Sequence, residues 1–224
     1  MPDVPHTYLD LQILFQDRYE AAVKPLGTRW ILSTDIILEY LYASELEIVH
    51  ELASNGQYNL LRGYTITEDM TGVSLTTIAS NVWETDIIDL NYLVKSYSTV
   101  NATYSGVNSF SGVVENKEIR EEDAGLYYTT AFNIPYFKNP KVYLEPVNSY
   151  VSPEKVQKKI IIIVDGYTEL VGVKATYIKL PEVPATDSYC YLDYTLYSKL
   201  VDTAVNKAIT DLAKLASSRK GGNE

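Results

Sequence analysis

Histidine and cysteine are almost missing from this chain. Its 224 residues hold two histidines, His6 and His50, and one cysteine, Cys190. A single cysteine excludes an intramolecular disulfide framework and a cysteine-based metal site. Flanked by Tyr189 and Tyr191, Cys190 reads as a small buried hydrophobe rather than a nucleophile. The histidines lie far apart and in no HxH or HExxH context, so no metal site is expected. Long apolar runs are also missing. No stretch of about 18 uncharged apolar residues occurs, so no helix is expected to span a membrane. The opening Met1-Pro2-Asp3-Val4-Pro5 has no basic or apolar segment. No signal peptide is therefore visible, and a cytoplasmic start is expected.

The catalytic signatures are missing as well. There is no GxSxG elbow, and two histidines leave few bases to activate a nucleophile. No glycine-rich phosphate loop of the GxxxxGK[ST] or GxGxxG kind occurs, so no nucleotide cofactor is implied. A pair of carboxylates could in principle serve a glycosidase, and Glu121-Glu122-Asp123 or Asp86 with Asp89 are the candidates. Acidic runs in so acidic a chain read as solvated faces. No catalytic, cofactor-binding or metal-binding residues are expected.

Positive charge is scarce: 19 Lys and Arg stand against 29 Asp and Glu, a net charge of −10. Such a chain repels phosphate backbones, which argues against sequence-specific nucleic-acid binding. It would also let DNA slide through an acidic channel without sticking.

Tyrosine is abundant, 20 against 4 phenylalanines. Tyrosine suits half-wet contact surfaces because it combines area with a hydrogen-bonding tip. It also fits pleated strands, and the two readings are compatible.

Apolar spacing predicts a helix over 7–23, with Thr7 as cap and Tyr8, Leu11, Leu14, Phe15, Tyr19, Ala22 and Val23 on one side. Lys24-Pro25 ends it. A second helix follows Ser33, Thr34 and Asp35, which are three candidate caps. Ile37, Leu38, Leu41, Tyr42, Leu46, Val49 and Leu52 form its apolar face, Glu39, Glu45, Glu47 and Glu51 its polar face, and Gly56 its stop. Leu60 to Thr67 reads as a short strand, whereas Thr76 to Tyr97 fits helix or strand. Residues 96–113 are nearly uncharged and rich in Ser, Thr, Asn and Gly. A structureless loop of that length is improbable, so a projecting hairpin or an arm ordered by a neighbouring subunit is expected. Ile160 to Val164 reads as a buried strand. Asp165-Gly166 is expected to make a type I′ turn, with Gly166 at positive φ and a return through Val171, Val173, Ala175 and Tyr177. Asp193 to Ala216 is predicted to be a long helix with Tyr197, Val201, Ala204, Val205, Ala208, Leu212 and Leu215 on one side.

The C-terminal third resembles the head-to-tail connector and adaptor proteins of tailed phages, including short-tailed and crAss-like ones. The residues that carry this are a hairpin over Ile160–Tyr177 leading into Tyr177-Ile178-Lys179-Leu180-Pro181, the link Glu182-Val183-Pro184 and the helix from Tyr197. Asn139-Pro140-Lys141-Val142-Tyr143 is similar to the lead-in of that element. Trp30-Ile31-Leu32-Ser33-Thr34-Asp35 with Tyr40-Leu41-Tyr42-Ala43 resembles the first long helix of such adaptors. The likeness covers about residues 10–55 and 135–210, and its motifs are built of common residue types.

The resemblance implies a structural subunit of a neck ring that joins portal to tail and lines the DNA channel, without catalysis. It implies a homo-oligomer, commonly dodecameric, touching the portal and other neck or tail proteins. DNA would pass without sequence-specific binding, and no membrane would be involved. The expected location is the head-tail neck of a virion assembled in a host cytoplasm. The expected fold class is α+β. A helical core of two N-terminal helices and a long C-terminal helix would carry a β-hairpin or small antiparallel sheet and an extended arm. One domain over 1–216 is expected, with a β-rich elaboration at about 60–150 and a disordered tail at 217–224. Alternatives are a minor capsid or tail-completion protein and, from another class, a carbohydrate-binding module.

Overall fold

A computed structural model of the chain describes residues 6–26, 31–71, 75–79, 81–85, 88–104, 108–129, 138–147 and 157–220. Its helices are α1 (Tyr8–Val23), α2 (Thr34–Ser54), α3 (Glu121–Thr129) and α4 (Tyr197–Lys220). Together with two sheets, they make an α+β fold with helices toward both ends of the chain. It divides into two compact units. A helical unit joins Met1–Tyr64 to Pro181–Glu224, and a β unit comprises Thr65–Leu180.

In the helical unit, α1 starts where the sequence predicts. The Asp10 amide donates to the Thr7 hydroxyl at 3.3 Å, and the Thr7 amide donates to the Asp10 carboxylate at 3.1 Å. This reciprocal box satisfies two amides that the first turn leaves without partners. Tyr8, Leu11, Phe15, Tyr19 and Val23 are buried, while Leu14 and Ala22 are exposed. Ser33 occupies the cap position of α2 but makes no side-chain capping bond. The neighbouring Thr34 hydroxyl instead accepts from Gln12 Nε2 on α1 at 3.1 Å.

The end of α2 is fully determined by its glycine. Gly56 has φ of 69°. The Gln57 amide then reaches the Leu52 carbonyl at 2.8 Å, and the Gly56 amide reaches Ala53 at 3.0 Å. These are the two bonds of a Schellman motif, which needs a residue in the left-handed region. The strand expected over Leu60 to Thr67 begins only at Thr65. Before it, bonds from Leu61 to Tyr58 and from Tyr64 to Leu61 wind the backbone into two 3₁₀ turns.

Helix α4 packs on both N-terminal helices. Lys199 meets Glu51 at 2.7 Å, Lys207 meets Glu47 at 2.8 Å, and Tyr40 donates to Asp211 at 3.3 Å. Residue numbers rise on α4 as they fall on α2, so the two run antiparallel. On α1, Arg18 pairs with Asp202 and donates to the Ser198 carbonyl. Leu200, Val201, Ala204, Val205 and Ala208 are buried, and the two alanines let the helices approach closely. The predicted stripe fails beyond this point: Leu212 is half-buried and Leu215 is 55% exposed. The helix outlasts its core, and it runs to Lys220 rather than giving way to a tail at 217. Its start is also later than predicted, because Asp193 caps a single 3₁₀ turn, Tyr194–Leu196, in front of it.

The strands of the β unit are β1 (Thr65–Thr71), β2 (Leu75–Ala79), β3 (Val82–Thr85), β4 (Ile88–Asp89) and β5 (Tyr92–Tyr104), followed by β6 (Asn108–Glu115), β7 (Lys117–Glu118), β8 (Lys141–Pro146), β9 (Gln157–Ile163) and β10 (Thr168–Ile178). One sheet is antiparallel in the order β1-β10-β5-β6, and the other runs β2-β3-β9-β8-β7 with β4 also on β9. Within the ambiguous stretch Thr76 to Tyr97, residues 76–79, 82–85, 88–89 and 92–97 are strand, and no described residue is helical.

The expected hairpin over Ile160 to Tyr177 does not form, since β9 and β10 belong to different sheets. Strand β9 explains why. Ile160, Ile162 and Val164 face the inter-sheet core with Val100, Leu170 and Val173. Ile161 and Ile163 face the other way, against Val82, Tyr143 and Ala124 of α3. An apolar run of this kind must be covered on both faces, which a two-stranded hairpin cannot do. Asp165 turns the corner between the sheets. Its carboxylate accepts from the Tyr167 amide at 3.0 Å and from the Thr168 hydroxyl at 2.6 Å. Among the described residues Gly56, and not Gly166, is the glycine at positive φ.

Two bulges reset the alternation in the first sheet. Leu170 pairs with Val100 but Gly172 with Thr99, so Val171 is the extra residue and is exposed where burial was expected. A second shift falls between Thr176 and Tyr177. Within 96–113, the described residues of β5 and β6 pair as antiparallel neighbours, but they do not project, because β10 flanks β5 on its other side. Ser96, Ser98, Val100 and Ala102 are all buried. The described residues of the segment are held in their own sheet by β10 and by each other.

Candidate functional site

Four separate stretches of the helical unit converge on one carboxyl group, that of Glu45. Helix α2 carries it into the core, fully buried, on the line of Ile37, Leu41, Val49 and Leu52. Tyr8 in the first turn of α1 donates its hydroxyl to Oε2. Tyr64, at the end of the turns that follow α2, donates to Oε1. Cys190 Sγ, in the segment before α4, also donates to Oε1, at 3.2 Å.

Each donor is itself held in place. The Tyr64 oxygen accepts from the Tyr191 amide at 3.3 Å, and the two rings meet edge to face. Gly63 makes this approach possible, since a Cβ there would lie 2.3 Å from the Tyr191 carbonyl oxygen. The Cys190 amide donates to the His6 carbonyl at 3.1 Å, and its own carbonyl accepts from Tyr197 Oη at 3.2 Å. The Tyr8 amide donates to the Ser188 carbonyl, so the start of α1 is stitched to the segment before α4.

Burial holds the Glu45 carboxyl above its ordinary range, against the pull of the bonds from Tyr64, Tyr8 and Cys190. The same burial, with the Glu45 charge beside them, pushes both tyrosine hydroxyls and the Cys190 thiol upward. All three donors therefore keep their protons. A protonated thiol is a weak nucleophile, and a carboxyl group sealed from solvent is a poor general base. The arrangement acts as a tether: one acceptor fixes four chain segments through directional bonds.

Among the described residues, the carboxylates and histidines weighed from sequence form no common site. Glu121, Glu122 and Asp123 are exposed in the first turn of α3, where the helix dipole favours acids, and Glu122 meets Arg120 at 3.5 Å. Asp86 lies outside the described residues, and Asp89 belongs to β4. His6 sits 3.7 Å from Asp10 and edge-on to the Tyr197 ring, while His50 is on the exposed side of α2. Among the described residues no group of three or more His, Cys, Asp or Glu could hold a metal ion, and no helix is long and apolar enough to cross a membrane.

By its charge Glu45 is expected on the polar face of α2, and the structure buries it instead. The signal was there: it falls four residues after Leu41 and four before Val49, within the apolar stripe.

The fold and this buried centre define the chain as an α+β protein with a discontinuous helical unit and an inserted β unit. No protein-family model matches it, and no curated protein matches it in sequence.

Proposed function

We propose that this chain is a structural subunit of the head-to-tail connector ring of a tailed phage. In that role it would assemble as a homo-oligomer between portal and tail and surround the DNA path without catalysing a reaction. One observation carries the reading. Of the segments that resemble phage adaptors, 10–55 and 135–210, residues 10–55 and 181–210 belong to one helical unit although the β unit separates them in sequence, while 135–180 belongs to the β unit. The Tyr177-Ile178-Lys179-Leu180-Pro181 motif stands where the chain leaves β10 and returns to that unit. A net charge of −10 suits a channel through which DNA must slide.

Native mass spectrometry and electron microscopy of the purified full chain, alone and with the portal protein of the same phage, test this. Closed rings or a stable portal complex are expected. A chain that stays monomeric in both samples, and is missing from purified virions, would overturn the reading.

A further inference from the structure

Among the described residues, the four-stranded sheet of the β unit ends in two strands of different chemistry. Strand β6 ends the sheet on one side and carries no charge from Asn108 to Val114. Strand β1 ends it on the other side and carries Glu68 and Asp69, both exposed. Open edges offer a row of unpaired amides and carbonyls, and proteins usually guard them with charges, bulges or cover. β1 has the charges. β6 is eight residues long, all ladder and no bulge against β5, and its Val113 is 66% exposed.

We propose that β6 of one copy of this chain pairs with β1 of the next, which joins their sheets into one continuous antiparallel sheet. This deepens the ring reading and rests on it for repetition of the contact. Strand directions alternate throughout β1-β10-β5-β6, so the β1 of a second copy placed beside β6 in the same orientation is automatically antiparallel to it. Such a head-to-tail contact is the kind that a ring repeats.

Face and charge then select the register. Ile66 and Met70 on β1, and Phe110 and Val114 on β6, all turn toward the inter-sheet core. Pairing Val113 with Thr67 of the next copy sets Phe110 opposite Met70 and Val114 opposite Ile66, each on the same face. Apolar and aromatic cross-strand pairs of this kind stabilise a sheet. Glu68 and Asp69 fall opposite Gly112 and Ser111, so no like charges meet. Two β1 edges brought together would instead crowd four carboxylates. Pairing β1 with β6 therefore keeps its carboxylates apart, whereas pairing β1 with itself does not.

Disulfide trapping tests the contact. Thr67 and Val113 are both exposed, and the native thiol of Cys190 is buried. The full-length double variant Thr67→Cys/Val113→Cys, oxidised mildly, should give a reducible ladder of covalent multimers. Neither single variant should give more than traces. Val113→Glu, which sets an acid beside Asp69 of the next copy, should lose the oligomer while its melting temperature as a monomer stays unchanged.

No ladder from the double variant overturns the proposal. Dimers from Val113→Cys alone also overturn it, in favour of β6 pairing with itself. Rings seen by microscopy without the ladder would sink the edge contact and leave the ring reading standing. A ladder from a protein absent from virions would do the reverse.

Discussion

The two units bury polar groups in opposite ways. In the helical unit, Glu45 collects donors from Tyr8, Tyr64 and Cys190, which lie on separate stretches of chain. In the β unit, Asn116 serves Ser96 and Ser98 from a single hairpin: Ser98 Oγ donates to its carbonyl oxygen at 2.6 Å, and its Nδ2 donates to Ser96 Oγ at 3.0 Å. The difference follows from connectivity. The β unit is one continuous stretch whose ladders already fix its strands, so its polar trio only fills a corner. The helical unit is assembled from two ends of the chain, and directional bonds at one buried point set how those ends meet.

Removing the acceptor tests this contrast most severely. Glu45→Ala leaves two phenol groups and a thiol buried without their partner, and it opens a cavity as well. The expected cost is about 3–5 kcal/mol, because buried donors left unsatisfied cost about 1–3 kcal/mol each and the cavity adds to that. Asn116→Ala should cost about 1–3 kcal/mol, since the two serines can turn to other partners. Urea unfolding of both variants measures the two values. An Asn116→Ala penalty equal to or above that of Glu45→Ala would show that the helical unit does not depend on its central acid.

A finer test uses pH. Burial raises the Glu45 carboxyl above its ordinary value of 4.5, so the fold favours the protonated form. Its contribution to stability is fully present below that ordinary value and is lost as pH rises through the raised one. Glu45→Gln cannot titrate. The stability of the natural chain minus that of Glu45→Gln should therefore be most favourable near pH 4 and fall steadily toward neutral pH. Exposed acids such as Asp10 and Glu47, whose partners hold them low, are common to both proteins and cancel in the difference. Paired melts across that range give the curve, and a flat or rising difference would mean that the carboxyl does not ionise against a burial cost.

Local chemistry was legible in the sequence and distant pairing was not. Thr7 with Asp10, the stop at Gly56 and the two-faced apolar run Ile160 to Val164 each follow from residues within one or two turns of each other. The partner of that run could not be read. Asp165-Gly166 carries the composition of a tight hairpin, but the choice between hairpin and corner depends on what covers the second face of β9, namely α3. The bulge at Val171 escaped for a similar reason, since an extra residue shows only against the strand it opposes. Glu45 was missed because a carboxyl group in an apolar stripe is tolerable only if donors arrive from elsewhere, and Tyr8, Tyr64 and Cys190 are far from it in sequence.

The smallest expected effect separates two glycines that look alike in sequence. Gly56 and Gly166 both end a regular element, and a Cβ on either would meet no atom within 4 Å. Contacts therefore predict nothing, and backbone conformation decides. At Gly56, φ is 69°, where an L side chain crowds the following carbonyl, so Gly56→Ala should cost about 1–2 kcal/mol. At Gly166 the backbone is outside that region, and the turn is held by the Asp165 carboxylate rather than by glycine's freedom. Gly166→Ala should leave the fold intact and stabilise it by about 0.4–1 kcal/mol, because the unfolded chain loses conformations that the folded one never used. Thermal melts of the two single variants compare them directly. Destabilisation of Gly166→Ala by as much as Gly56→Ala would restore the tight hairpin turn at Asp165-Gly166, and with it the pairing of β9 and β10 that the two separate sheets exclude.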